Sequence, residues 1–164
     1  MVYTSSMRIL GIDPGIGRTG WGIIDVEHGK FIVKDYGCIE TFKEQNIGER
    51  LQELYEALQK VLEQYHPDAL SIEELFFNTN TSTAMIVGQA RGIVLLAATQ
   101  HAIPITSYTP LQVKVAVTGY GRADKKQIGQ MVKTILKLTI IPKLDDTADA
   151  LAIALTHAFS YKMN

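Results

Sequence analysis

Regular structure in this chain opens with an apolar run. Ile9, Leu10 and Ile12 read as a strand that delivers Asp13 to its tip, and Pro14 stops it. Gly15, Gly17 and Gly20 then punctuate a turn, where they are expected to supply positive φ and close backbone approach. Trp21 to Val26 and Phe31 to Glu40 have extended patterns, and Glu27-His28-Gly29-Lys30 between them has hairpin chemistry, so the first three strands are predicted to form an antiparallel meander. From Ile47 the apolar period changes to three and four, through Leu51, Leu54, Tyr55, Leu58, Val61, Leu62 and Tyr65. That pattern predicts an amphipathic helix with one buried face, ended by His66-Pro67-Asp68. Ala69-Leu70-Ser71-Ile72 is a short strand reached through that helix, hence predicted to lie parallel to the first. It ends in Glu73-Glu74, so if the two strands are neighbours an aspartate and a glutamate meet at their ends.

In the second half, Asn80 or Thr81 can cap a long helix through Met85, Ile86, Val87, Ile93, Val94, Leu95 and Leu96 to about His101. Its interior is apolar nearly all round, which suits a helix sandwiched in a core or one shared with a second subunit. Ile103 to Tyr108 is a fifth strand, Thr109-Pro110 opens a short helix, and Gly119-Tyr120-Gly121 is a connection. Asp124 begins a helix with the stripe Ile128, Met131, Val132, Ile135 and Leu136, closed by Pro142, and Asp145 to Leu155 begins a last helix with acids in its first turn. Three strands, then alternating helix and strand, predict an α/β domain. Its expected core is a five-stranded mixed sheet, three antiparallel strands followed by parallel crossovers, flanked by helices.

The 164 residues, 46% of them hydrophobic, suffice for one domain, placed at residues 7–160. Residues 1–6 match no element and read as a leader or added residues before Met7. The one cysteine, Cys38, lies in a predicted strand, so a buried thiol in a reducing compartment is expected. No apolar run is read as long enough to span a bilayer and no secretory pattern opens the chain, so the expected address is cytoplasmic, with no membrane partner. A net charge of −1 argues against a nucleic-acid binder, but the distribution of charge along the chain argues for one. From Arg91 to Lys143 the bases Arg91, Lys114, Arg122, Lys125, Lys126, Lys133, Lys137 and Lys143 face the single acid Asp124.

Acids in a first helical turn commonly cap free amides, and Asp145 is read that way. Asp146 and Asp149, three apart, project from one helix face and can join Asp13 and Glu73 at the strand ends. Four converging acids repel one another unless divalent cations neutralise them. Oxygen-only ligands suit Mg²⁺ or Mn²⁺, and two such ions can clamp the attacking and leaving oxygens of a phosphoryl displacement. His28, His66, His101 and His157 show no ligand spacing and read as incidental.

Several motifs together resemble the RuvC family of Holliday-junction resolvases. They are Ile12-Asp13-Pro14-Gly15 with Thr19-Gly20, Ile72-Glu73 followed by Phe76, Gly88-Gln89-Ala90-Arg91-Gly92, Gln112-Val113-Lys114, and Asp146 and Asp149 with the following Ala150-Leu151-Ala152-Ile153-Ala154. The resemblance runs from Met7 to about His157. It implies an RNase H-like fold, a homodimer, paired nicks in four-way junction DNA and an association with a branch-migration helicase. It places metal-binding catalytic acids on Asp13, Glu73, Asp146 and Asp149, a base-stacking ring on Phe76, and functional lysines on Lys114 and Lys125. The adjacent Glu74 and Asp145 leave the register open by one residue at two of the acids. Arg91, Arg122 and Lys126 join the DNA-binding set on charge alone, and Phe77 is assigned to the core. Rival readings are an RNA-directed nuclease resembling the YqgF family, a non-catalytic junction-binding protein, and an actin-like ATPase, for which the chain lacks a second domain.

Overall fold

The computed structural model describes residues 6–75 and 81–162. Phe76 and Phe77, with the roles assigned to them, lie outside the described residues. The elements are β1 (Met7–Asp13), β2 (Arg18–Glu27), β3 (Lys30–Glu40), α1 (Ile47–Tyr65), β4 (Ala69–Glu73), α2 (Thr81–Gln100), β5 (Ile105–Tyr108), α3 (Pro110–Thr118), α4 (Lys125–Ile135) and α5 (Asp145–Lys162). They build one five-stranded mixed sheet in the order β3-β2-β1-β4-β5. β1 pairs antiparallel with β2 and β2 with β3, while β1 and β4, and β4 and β5, run parallel.

Local chemistry sets the ends of these elements. The β2–β3 hairpin turns through His28 (φ 48) and Gly29 (φ 80), the two consecutive left-handed residues that match the twist of paired strands. Asn46, Thr109 and Asp124 each close a capping box, with Glu49, Gln112 and Gln127 reaching back to the cap amide. Alternation along the sheet then fills two layers. Ile9 and Ile24 face α3, α4 and α5, burying Val113, Val132 and Leu151, whereas Leu10, Ile12 and Ile72 face α1 and α2, burying Leu58, Leu62 and Val94.

Two expectations need correction. Gly15, Gly17 and Gly20 do not adopt positive φ; among the described residues only Gly29 and Gly119 do so as glycines. Gly20 is required for close approach instead, because an added Cβ would stand 1.9 Å from the Asp146 carbonyl oxygen. The second concerns α2, which at twenty residues and a mean hydropathy of 1.3 is long and apolar enough, by length and composition, to cross a membrane. Here it lies against α1 and the sheet through a narrow stripe of Ala90, Val94, Ala97 and Ala98. Met85 and Leu96 on its other faces stay 65% and 49% exposed, so the sheet covers only part of the helix.

At the strand ends remote from Asp13, Arg8 Nε and Nη2 donate to the two Asp25 carboxylate oxygens at 2.7 and 2.9 Å, and Arg8 Nη1 donates to the Tyr65 carbonyl at 2.8 Å. Asp25 is buried, and the guanidinium holds its carboxyl below the usual range. A depressed carboxylate stabilises the fold above its unfolded pKa, and the contribution fades as pH falls through the folded value. Asp25→Ala is therefore expected to lower stability at pH 7 by roughly 1.5–3 kcal/mol, the range for hydrogen bonds to charged groups. Urea melts of variant and wild type should draw together as pH falls below about 4, the usual aspartate value; a constant gap would show that Asp25 contributes through packing instead.

Candidate active site

Asp13 and Glu73 are the last residues of β1 and β4, adjacent parallel strands with Ile12 beside Ile72. Both side chains leave the same end of the sheet. They share the face on which Gly11 meets α5, since positions 11 and 13, and likewise 71 and 73, alternate to one side. α5 can come this close only because β1 and β2 carry glycine beneath it. A Cβ at Gly11 would stand 2.1 Å from the Ala150 carbonyl oxygen, much as one at Gly20 would meet Asp146. The first two turns of α5 are thereby laid on the strand ends, which brings Asp149 to both strand acids and Asp146 within reach of Asp13.

The result is a cavity of about 500 Å³ lined by Asp13, Glu73 and Asp149, with Lys114 from α3, Lys125 from α4, and apolar walls at Val113, Ile128 and Ile153. Lys125 Nζ lies 3.3 Å from Asp149 Oδ2. Burial, then the charges of Asp149, Glu73 and Asp146, push the Asp13 carboxyl up to about 8 against the pull of Lys125. Glu73 is raised by burial and by Asp149, with Lys125 and Lys114 opposing. Asp149 is raised by burial despite Lys125 beside it, and the same contact raises the Lys125 ammonium. These are the signs expected of carboxylates crowded in a partly dry site and short of positive charge.

The structure separates Glu73 from Glu74, whereas neither Asp145 nor Asp146 lines the cavity and the charge of Asp145 also reaches Asp149 and Lys125. Glu73 and Asp149 turn into the cavity, whereas Glu74 is exposed, its N–H bonded to the Tyr108 carbonyl, and Asp145 is exposed at the start of α5. Asp146 is half-buried and acts on Asp13 and on the Cys38 thiol without lining the cavity wall. That thiol is half-buried rather than buried, and desolvation followed by Asp146 pushes it up to about 11. Among the described residues, no three His, Cys, Asp or Glu side chains are grouped so as to hold a metal ion by themselves. The donor set still fits Mg²⁺ or Mn²⁺. It is all carboxylate oxygen, it carries uncompensated negative charge, and Mg²⁺ characteristically keeps waters and takes substrate phosphate rather than a complete protein cage.

The remaining cations divide. Lys114 and Lys125 line the cavity, Lys126 lies beside it in a neighbouring pocket shared with Lys125, Asp145 and Asp149, and Arg122 is exposed outside these pockets. Arg91 is turned onto protein groups, with Nη2 donating to Ser107 Oγ at 2.7 Å and Nε 3.5 Å from the Glu73 carbonyl oxygen. Two histidines that read as incidental in the sequence make side-chain hydrogen bonds, His101 through Nε2 to Gln59 Oε1 and His157 near the site. His157 Nδ1 and Tyr108 Oη are 2.8 Å apart with their rings edge to face, joining the end of β5 to α5. Only the strand-end position of Tyr108 opposite Glu73 hints at this in the sequence.

The family model described as crossover junction endodeoxyribonuclease RuvC matches residues 9–157. The crossover junction endodeoxyribonuclease RuvC of Alkaliphilus metalliredigens (strain QYMF) is 56% identical over 154 residues, covering 94% of either chain. Among solved structures, Thermus thermophilus RuvC in complex with a Holliday junction substrate is 39% identical, with a TM-score of 0.91 over 96% of both chains. The yeast mitochondrial Holliday junction resolvase Ydc2, at 17% identity and a TM-score of 0.64 over 94% of this chain and 81% of its own, shares the fold, the RNase H-like arrangement. With a family match over residues 9–157 and relatives above half identity, the chain belongs to the RuvC family of crossover junction endodeoxyribonucleases.

Proposed function

We propose that this protein resolves four-way DNA junctions by metal-dependent, paired symmetric nicks in recombination and repair. One observation carries the reading: Asp13, Glu73 and Asp149 line a single cavity with Lys114 and Lys125 at its walls, and burial together with its acidic neighbours pushes the Asp13 carboxyl up to about 8. Such a site favours divalent cations and, through its lysines, phosphate oxygens. Asp13, Glu73, Asp146 and Asp149 would hold two Mg²⁺ or Mn²⁺ ions. When bound, the ions supply neutralisation of the acids and stabilisation of charge on the attacking and leaving oxygens.

The chain's own groups do the rest. Lys114 and Lys125 steady the scissile phosphate, with Lys126 and Arg122 contacting DNA farther out, and the apolar walls at Val113 and Ile153 limit water. Phe76 would stack on an unpaired base at the branch point. A homodimer through the exposed face of α2 supplies the second active site that symmetric nicking needs. A branch-migration helicase is the natural companion of that chemistry, and a cytoplasmic location follows from it.

The test is to incubate the protein with a synthetic four-way junction, a linear duplex and a structured RNA, each with Mg²⁺, Mn²⁺ or chelator. Paired nicks confined to the junction and abolished by chelator are expected. Cleavage of RNA alone would favour an RNA nuclease, and binding without cleavage a scaffold. Sedimentation at micromolar protein that gives only an 18.2 kDa species would overturn the dimer.

A further inference from the structure

We infer that Arg91 is a positioning residue for Glu73, reaching across the sheet end from α2 to hold the backbone from which that carboxylate projects. The inference rests on the proposed metal-binding role of Glu73. Its starting point is the hydrogen-bond ladder of β4. Leu70 N–H donates to the Pro104 carbonyl and Glu74 N–H to the Tyr108 carbonyl, so even-numbered residues of β4 turn their backbone groups toward β5. Alternation leaves the Glu73 carbonyl on the β1 side. With Ile12 beside Ile72 in a parallel pair, the donor that would come next along that ladder belongs to position 14. Position 14 is proline, which has no N–H.

Arg91 stands where the missing donor is needed. Its Nε lies 3.5 Å from the Glu73 carbonyl oxygen, at the long end of hydrogen-bonding distance, and its Nη2 is fixed by the 2.7 Å bond to Ser107 Oγ on β5. One guanidinium therefore bridges the ends of β4 and β5 from the α2 side, while the Glu73 carboxyl faces α5 on the opposite side. Two of its N–H directions are thus turned inward on protein acceptors, in the planar fork that suits arginine and not lysine. A basic residue in this stretch would ordinarily be read as a phosphate contact, and the geometry assigns it to the support of the acid cluster instead.

The experiment compares Arg91→Gln, Arg91→Lys and Ser107→Ala with wild type, using the full chain. Manganese affinity is measured by calorimetry without DNA, junction affinity against salt in chelator, and folding by thermal melting. Arg91→Gln should weaken Mn²⁺ binding about tenfold, the lower end of what loss of a supporting partner does to a metal site. Its junction affinity, salt slope and melting temperature should match wild type. Ser107→Ala should give a smaller loss in the same direction, and Arg91→Lys a partial rescue. As a comparator, Lys114→Ala should lower the salt slope by about one unit, the signature of a lost phosphate contact. If Arg91→Gln lowers the slope in that way with Mn²⁺ binding intact, Arg91 is a phosphate clamp and the inference is overturned. If it leaves Mn²⁺ binding unchanged and the slope unchanged, the contact to Glu73 does nothing and the inference fails alone. Failure of the metal-binding reading itself looks different: wild type then binds no Mn²⁺ that Glu73→Gln abolishes, and the inference falls with it.

Discussion

Asp13→Asn is expected to lose nearly all junction cleavage and, in chelator at pH 8, to be more stable than wild type. Both effects have one cause. Asp13 is driven up to about 8 by burial and by the charges of Asp149, Glu73 and Asp146, so the folded state resists its ionisation. A carboxyl raised in the folded state keeps its proton there after the unfolded chain has lost it. Between about pH 4 and 8 the unfolded state binds fewer protons, and stability falls as pH rises. At about 1.4 kcal/mol per pKa unit the full penalty would approach roughly 6 kcal/mol, and solvent screening in an open cavity should leave about 2–3 kcal/mol.

The asparagine keeps the shape and cannot ionise. Urea melts in chelator should therefore cross, with wild type losing stability from pH 5 to pH 8 and Asp13→Asn staying flat over that window. Saturating Mg²⁺ should restore wild type and leave the variant unchanged, because binding to the folded state alone stabilises it by mass action. Glu73→Gln and Asp149→Asn should behave alike with smaller shifts, while Glu74→Gln and Asp145→Asn, whose side chains are exposed, should cleave like wild type. Full activity in Asp13→Asn, Glu73→Gln, Asp146→Asn and Asp149→Asn would end the metal-nuclease reading. A destabilised but still cleaving Asp13→Asn would make Asp13 a structural acid.

Much of this site is legible in the chain because strands and helices deliver side chains at fixed intervals. Asp13 and Glu73 announce themselves as acids closing apolar runs, and Asp146 and Asp149 as a pair one turn apart. The parallel direction of β4 follows from its being reached through a helix, whereas its place beside β1 is shown by the structure. What the pattern does not carry are contacts made across the sheet. Nothing near Arg91 in the chain indicates that its guanidinium meets Ser107 and the Glu73 backbone, so by sequence its charge reads as a DNA contact. His157 and Tyr108 lie 49 positions apart, and their hydrogen bond exists only once α5 has packed on β5. The glycines mislead for a related reason. A turn glycine and a glycine beneath a helix look alike in sequence, and only the position of α5 distinguishes them.

That last distinction leads to the other large effect. Gly20→Ala is expected to reduce cleavage far more than it reduces stability. The added methyl would stand 1.9 Å from the Asp146 carbonyl oxygen and 2.8 Å from the Thr147 N, which are backbone atoms that no rotamer change can clear. α5 must lift at its first turn, and that turn carries Asp146, with Asp149 one turn on. Overpacking of this kind typically costs about 1–3 kcal/mol, and the start of a helix can give way more easily than its middle. Catalysis is less forgiving, since a displacement near 1 Å at a reacting centre can cost about a hundredfold. Gly11→Ala makes the contrast. Its Cβ would meet the Ala150 carbonyl oxygen at 2.1 Å and the Ala154 amide nitrogen at 2.7 Å, in the buried middle of α5, so there the fold itself should suffer and little soluble protein is expected. For Gly20→Ala, the expected result is a melting transition within a few degrees of wild type, Mn²⁺ binding weakened, junction binding in chelator retained, and cleavage reduced about a hundredfold or more. Cleavage at the wild-type rate would mean that α5 and the strand ends need not be in this contact when the reaction occurs.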